Sequence, residues 1–172
     1  MIRRLAALAL SWLALAGTLA LAAESPAYTE YAQGNYVKAR SLAEGEAAQG
    51  SKEAYTLLGE IYEEGLGVAQ DMKKAADAYR KAADLGDANA QFSLGTFAAE
   101  GRGMPKDMKQ AADFFEKAAE NGHGEAQYNL ALIYLDGRGR PADETKAVEW
   151  MEKAADQGIP SAEYDLGGFY QF

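Results

Sequence analysis

Few side chains in this sequence are of the types that carry chemistry, and their spacing gives them no partners. Beyond an apolar N-terminal stretch the serines are Ser25, Ser41, Ser51, Ser93 and Ser161. None falls in Ser-x-x-Lys or Gly-x-Ser-x-Gly, the patterns that set a base or a strained turn beside a nucleophilic hydroxyl. The chain has no cysteine, which removes thiol nucleophiles and thiolate metal ligands. With His123 as the only histidine there is no dedicated zinc site, and no metal or cofactor is expected. His123 directly follows Gly122 and reads as a surface turn residue. Gly101-Arg102-Gly103 and Gly137-Arg138-Gly139 have the look of anion-cradling loops. A phosphate loop, however, follows a strand and opens a helix N-terminus toward the anion, whereas helical patterns precede both of these segments. Glu60, Glu63, Glu64 and Asp136 remain, and acid–base work by carboxylates needs a dry cleft that shifts their pKa values. A solvated acidic face is the simpler reading, and catalysis is not expected.

The N-terminus carries an export signature rather than fold information. Met1-Ile2-Arg3-Arg4 gives a short basic start, and Leu5 to Gly17 is almost wholly apolar. Ala20-Leu21-Ala22 then supplies the small-x-small pattern that signal peptidase reads. Residues 1–23 are read as a signal peptide cleaved near Ala22 or Ala23, which sends the mature chain to the periplasm or out of the cell. A retained N-terminal anchor is the alternative; after cleavage no membrane insertion is expected. Loss of Arg3 and Arg4 from the 17 Lys and Arg leaves 15 against 26 Asp and Glu, a net charge of −11. So acidic a chain repels nucleic acid and anionic lipid, and no nucleic-acid partner is expected. Without disulfides the fold must stand on its packed core alone.

An internal period of 36 residues orders the rest of the chain. Ala54 returns as Ala90, Ala126 and Ala162, and Leu58 as Leu94, Leu130 and Leu166. Gly65 and Gly67 return as Gly101 and Gly103, then as Gly137 and Gly139; Asp71 returns as Asp107 and Asp143. Each copy predicts two helices. The first runs from about Glu53 to Glu64, with Ala54, Leu58, Ile61 and Tyr62 on one face, and ends at Gly65. The second starts after an Asp71 N-cap, turns Ala75, Tyr79, Ala82 and Ala83 inward, and stops at Gly86. Asp107 and Gln110 have the spacing of a capping box. Glycine inside a helix costs about 1 kcal/mol relative to alanine. Gly59 and Gly95 therefore need a reason, and their replacement by Ala131 in the third copy says that the position demands smallness. The organisation is a partial hairpin over residues 24–53, full copies over 54–89, 90–125 and 126–161, and a partial copy over 162–172.

These residues resemble Sel1-like repeats, relatives of the tetratricopeptide class. The match lies in Ala54-x-x-x-Leu58-Gly59-x-x-Tyr62, the Gly65-x-Gly67 loop, Asp71, Lys74-Ala75 and Lys81-Ala82-Ala83. The resemblance implies an all-α fold, a right-handed α-solenoid of antiparallel helical hairpins. It also implies a protein–protein interaction adaptor or scaffold in the bacterial cell envelope, binding a peptide or protein segment. One exported, cysteine-rich branch is linked to β-lactam binding or hydrolysis, and the lack of cysteine here departs from its pattern. A cell-wall or β-lactam-directed hydrolase is the alternative, beside a structural subunit of an envelope assembly complex.

In related arrays the first helices line the concave surface. The face opposite Leu58 gives Thr56, Glu60 and Glu63 in the first copy and Phe92 and Thr96 in the second. Tyr128, Leu132 and Leu135 follow in the third copy and Tyr164 in the last. Phe92, Tyr128 and Tyr164 form an aromatic ladder at one repeat position, open to two readings: interaction anchors ringed by polar groups, or packing between repeats. The partner is expected to be another protein or peptide. Oligomeric state stays open, since the apolar closing residues Tyr164, Phe169, Tyr170 and Phe172 also suit a partner or a second copy.

Overall fold

The computed structural model describes residues 25–169, so the expected signal peptide at 1–23 and the closing Tyr170 and Phe172 lie outside the described residues. Nine helices and no strand occur among the described residues: α1 (Pro26–Ala32), α2 (Tyr36–Ala48), α3 (Lys52–Glu64), α4 (Met72–Asp84), α5 (Ala88–Glu100), α6 (Met108–Glu120), α7 (Gly124–Asp136), α8 (Glu144–Asp156) and α9 (Pro160–Phe169). Each helix packs on its predecessor and its successor, and first helices also touch across repeats, as α3 does α5. The result is a solenoid of antiparallel hairpins, α1–α2 through α7–α8, closed by α9.

Local chemistry sets the helix ends. Asp71, Asp107 and Asp143 cap the second helices, each carboxylate accepting a backbone N–H from the first turn. Gly65, Gly101 and Gly137 end the first helices in the left-handed conformation that a Cβ would disfavour. The capping box at Asp107 is only half made. Asp107 Oδ1 accepts from Lys109 and Gln110, but its own N–H donates to the Ala98 carbonyl at 2.8 Å, which leaves no donor for Gln110. Asp71 and Asp143 make the same cross-hairpin bond, to Tyr62 and Tyr134. The cap residue thus also staples the two helices of its hairpin together.

Packing explains the mid-helix glycines. A Cβ added at Gly59 would lie 2.4 Å from the Tyr79 ring, and one at Gly95 2.6 Å from Phe115. Where the first helix carries Ala131, the facing residue is the slimmer, flexible Met151, fully buried in the same cluster. Between repeats a second contact fixes the stacking. Gly103, at φ +63°, lies so close to the Met72 carbonyl that a Cβ would sit 2.1 Å from it, and Gly139 repeats this over Met108 at 2.2 Å. The second glycine of each loop is thus the footing of one hairpin on the N-terminus of the preceding second helix.

A polar clasp runs beside the apolar core. Gln91 and Gln127 are each 5 % exposed. Gln91 Nε2 donates to the Ala83 carbonyl at the end of α4, and its Oε1 accepts from Asn121 Nδ2, just past α6, at 2.8 Å. Gln127 does the same one repeat later, with Ala119 and Gln157. Each buried amide is satisfied on both ends, as burial requires.

Gly95→Ala drives a methyl group into the Phe115 ring and is expected to cost about 1–3 kcal/mol of stability. Adding Phe115→Met rebuilds the Ala131–Met151 pairing and should recover much of that loss. Chemical denaturation of both single variants and the double variant measures the coupling. Simple additivity would show that the glycine serves something other than the ring.

Candidate functional site

The first helices are separated by clefts that repeat with the sequence. Between α5 and α7 a cavity of about 320 Å³ is lined by Thr96, Ala99, Asn129, Leu132 and Ile133, with Met108 and Phe115 from the second helix at its floor. One repeat on, between α7 and α9, a cavity of about 480 Å³ is lined by Leu135, Glu144, Asp165, Gly168 and Phe169. These are the positions of Ala99, Met108, Asn129, Leu132 and Ile133 advanced by one period. The two cavities are copies of one site with different walls.

The same place between α3 and α5 is filled by the chain itself. Arg102, in the loop after α5, donates from Nη2 to Glu63 Oε1 at 2.9 Å, touches Met72 Sδ at 3.6 Å, and stacks 4.7 Å above the Phe97 ring. Its counterpart Arg138 stays at the edge of the α5–α7 cavity, 69 % exposed and held by Asp136. The register differs at two positions: Ala99 stands where Glu63 does and Ile133 where Phe97 does, so the carboxylate and ring that hold Arg102 have no counterparts at those places.

The residues singled out in the sequence divide accordingly. Thr96 and Leu132 line the α5–α7 cleft, and Leu135 lines the α7–α9 cleft. Glu60 is half-buried, and burial followed by the negative charges of Glu63 and Asp87 raises its carboxyl pKa. Glu63 is spoken for by Arg102 and by the Tyr79 hydroxyl at 2.7 Å. Burial, then this carboxylate, pushes the Tyr79 phenol far up. Thr56 does not line a groove: it is 4 % exposed, and its hydroxyl donates to the Lys52 carbonyl. The aromatic ladder is not continuous either. Phe92 packs on Phe115 and stacks on His123 at 4.4 Å, whereas Tyr128 is half-buried against Leu132 and Met151, with its hydroxyl on Asp165. Only Tyr164, 84 % exposed, presents its ring to solvent.

His123 is the other correction. Rather than a surface turn residue without a shared role, it is the N-cap of α7, its Nδ1 accepting from the Ala126 N–H at 3.3 Å. Ser51 and Asp87 cap α3 and α5 from the same repeat position. Nδ1 also lies 3.3 Å from Glu125 Oε2, a contact that needs a proton on Nδ1 and so competes with the cap. Burial lowers the His123 pKa, outweighing the opposite pull of Glu125 and Asp87, so the neutral, capping ring is the folded form. No group of three His, Asp or Glu among the described residues is placed to hold a metal ion.

Stacked hairpins of one length, each turning through a Gly-x-Gly loop and stapled at its Asp cap, define a helical-repeat protein. The Sel1 repeat profile matches residues 52–87, 88–123 and 124–159, and the chain belongs to this family, whose repeats generally mediate protein–protein contacts. A Sel1 repeat protein from Oxalobacter formigenes is similar at 33% identity and a TM-score of 0.81, over 84% of this chain and 59% of that one. A protective antigen of uropathogenic Escherichia coli strains, displaying the same repeat fold, is 35% identical with a TM-score of 0.75, over 78% of this chain and 29% of its own. The chain thus spans less than two thirds of either relative. Helicobacter pylori cysteine rich protein B is 26% identical with a TM-score of 0.55, over 69% of this chain and 90% of that one. No curated protein sequence matches the chain significantly.

Two outcomes follow from the site's polar contacts. Because the folded pKa of His123 lies below its unfolded value of about 6.5, its stabilising effect is complete above that pH and is lost as pH falls through the folded pKa. Melting curves from pH 7.5 to 5 should therefore show wild type losing stability relative to His123→Asn, which keeps a capping side chain; parallel curves would refute it. Arg102→Ala empties the first cleft and leaves half-buried Glu63 without its ion pair. A loss of about 1 kcal/mol is expected, and an unchanged denaturation midpoint would mean that the arginine contributes nothing there.

Proposed function

We propose that the chain is an exported, non-enzymatic adaptor that holds a peptide or protein segment along the clefts between its first helices. The observation that carries this reading is the recurrence of one cleft at one repeat spacing, with apolar floors and polar rims. Side chains of an extended segment can be taken up one cleft at a time in such a row, with each wall adjusted independently. Against catalysis stand the absence of cysteine, the lack of a Ser-x-x-Lys or Gly-x-Ser-x-Gly pattern, and the use of His123 as a helix cap. No helix among the described residues is long and apolar enough to cross a membrane. The basic start, apolar run and Ala20-Leu21-Ala22 support export to the periplasm or beyond.

The test blocks the middle cleft without touching the core. Thr96 and Asn129 are half-buried at its wall, and the Thr96 hydroxyl bonds only its own helix, to the Phe92 carbonyl. Thr96→Arg with Asn129→Arg should keep the melting temperature near wild type while abolishing in-cell crosslinking to a discrete envelope protein. A folded double variant that retains the crosslink would move the site away from this row. Nitrocefin turnover by the purified protein would replace the adaptor reading with the hydrolase one.

A further inference from the structure

The filled cleft between α3 and α5 shows what these sites can take, and its components return in the α7–α9 cleft. In the filled cleft Arg102 has an aromatic floor, Phe97, and a carboxylate, Glu63. Two repeats later Phe169 stands at the Phe97 position. The carboxylate has changed walls: Leu135 replaces Glu63, while Glu144 takes the place of Met72, the residue whose sulfur Arg102 touches. A second carboxylate, Asp165, enters where the first cleft has Ser93. Tyr128 donates its hydroxyl to Asp165 Oδ2 at 2.9 Å and so holds that side chain toward the cavity wall. The intervening α5–α7 cleft has Ile133 and Ala99 at these positions, and its Arg138 lies at the cavity's edge, paired with Asp136. Where Arg102 fills its cleft, the guanidinium meets a ring and a carboxylate together.

Resting on the reading of the clefts as the partner's binding row, we propose that the α7–α9 cleft is a receptor for an arginine side chain of the partner segment. The planar guanidinium can lie over Phe169 and donate two parallel N–H bonds toward Glu144, which a lysine ammonium cannot do. The cavity of about 480 Å³ accommodates it, and the chain's net charge of −9 favours a basic guest.

The probe is N-acetyl-arginine methylamide, titrated into the isotope-labelled mature protein and followed by backbone amide shifts. Saturable shifts are expected around Glu144, Asp165 and Phe169. They should weaken by about fivefold or more with the citrulline analogue, which keeps the shape and loses the charge. The isosteric pair Glu144→Gln and Asp165→Asn should abolish them, and the same spectra report whether that variant stays folded. No saturable shift at this cleft, or equal binding of citrulline, overturns the proposal. Partner capture lost on blocking the α5–α7 cleft, with no arginine response here, sinks the arginine assignment and leaves the adaptor reading standing. An arginine response without any captured partner supports the pocket's chemistry while the adaptor reading falls.

Discussion

The distance between the two helices of a hairpin is set where a first-helix glycine meets a second-helix ring. Gly59 under Tyr79 and Gly95 under Phe115 let the axes come close enough for alanines to touch alanines, and most of the buried residues are indeed alanine. A core so thin has little depth in which to absorb errors, since interiors are close-packed and added volume forces backbone shifts. The Ala131–Met151 pair shows the constraint as a sum: a methyl gained on one helix is matched by a ring lost from the other. The cross-hairpin bonds of Asp71, Asp107 and Asp143 work only at this spacing. So do the seats of Gly103 and Gly139 on the backbone of the preceding hairpin.

A rigid frame of this kind separates what must stay the same from what is free to vary. The loop glycines, the Asp caps of the second helices and the alanine stripe keep their identities from copy to copy, while the cleft walls change at fixed positions. Glu63, Ala99 and Leu135 occupy one such position, and Phe97, Ile133 and Phe169 another. The changes alter what each cleft can hold without altering where it lies. This is how a repeat protein acquires a reading surface from duplicated units.

The hairpins were legible in the sequence because their signals are local. Helical spacing of Ala54, Leu58 and Ile61, an Asp before each second helix and a Gly after each first one all act within one or two turns. The site was only partly legible, because a cleft wall is built from residues about 30 positions apart whose meeting depends on how hairpins stack. Thr96, Leu132 and Leu135 line clefts, but Thr56 faces inward and Phe92 is consumed by Phe115 and His123. Arg102 was visible only as loop charge; the signal for its role was Glu63, present in one copy and absent from the next two. The Gln91–Asn121 and Gln127–Gln157 clasps were open to the same comparison, as paired amides recurring one period apart.

Contacts confined to a hairpin and its neighbours also decide how such a chain comes into being. Among the described residues no strand must wait for a distant partner, and each helix packs on neighbours close in sequence. A polypeptide delivered from its N-terminus can therefore set each hairpin on the one already made, as bricks are laid in courses. The polar clasp of Gln91 is completed only when Asn121 arrives, so each course is locked by the next.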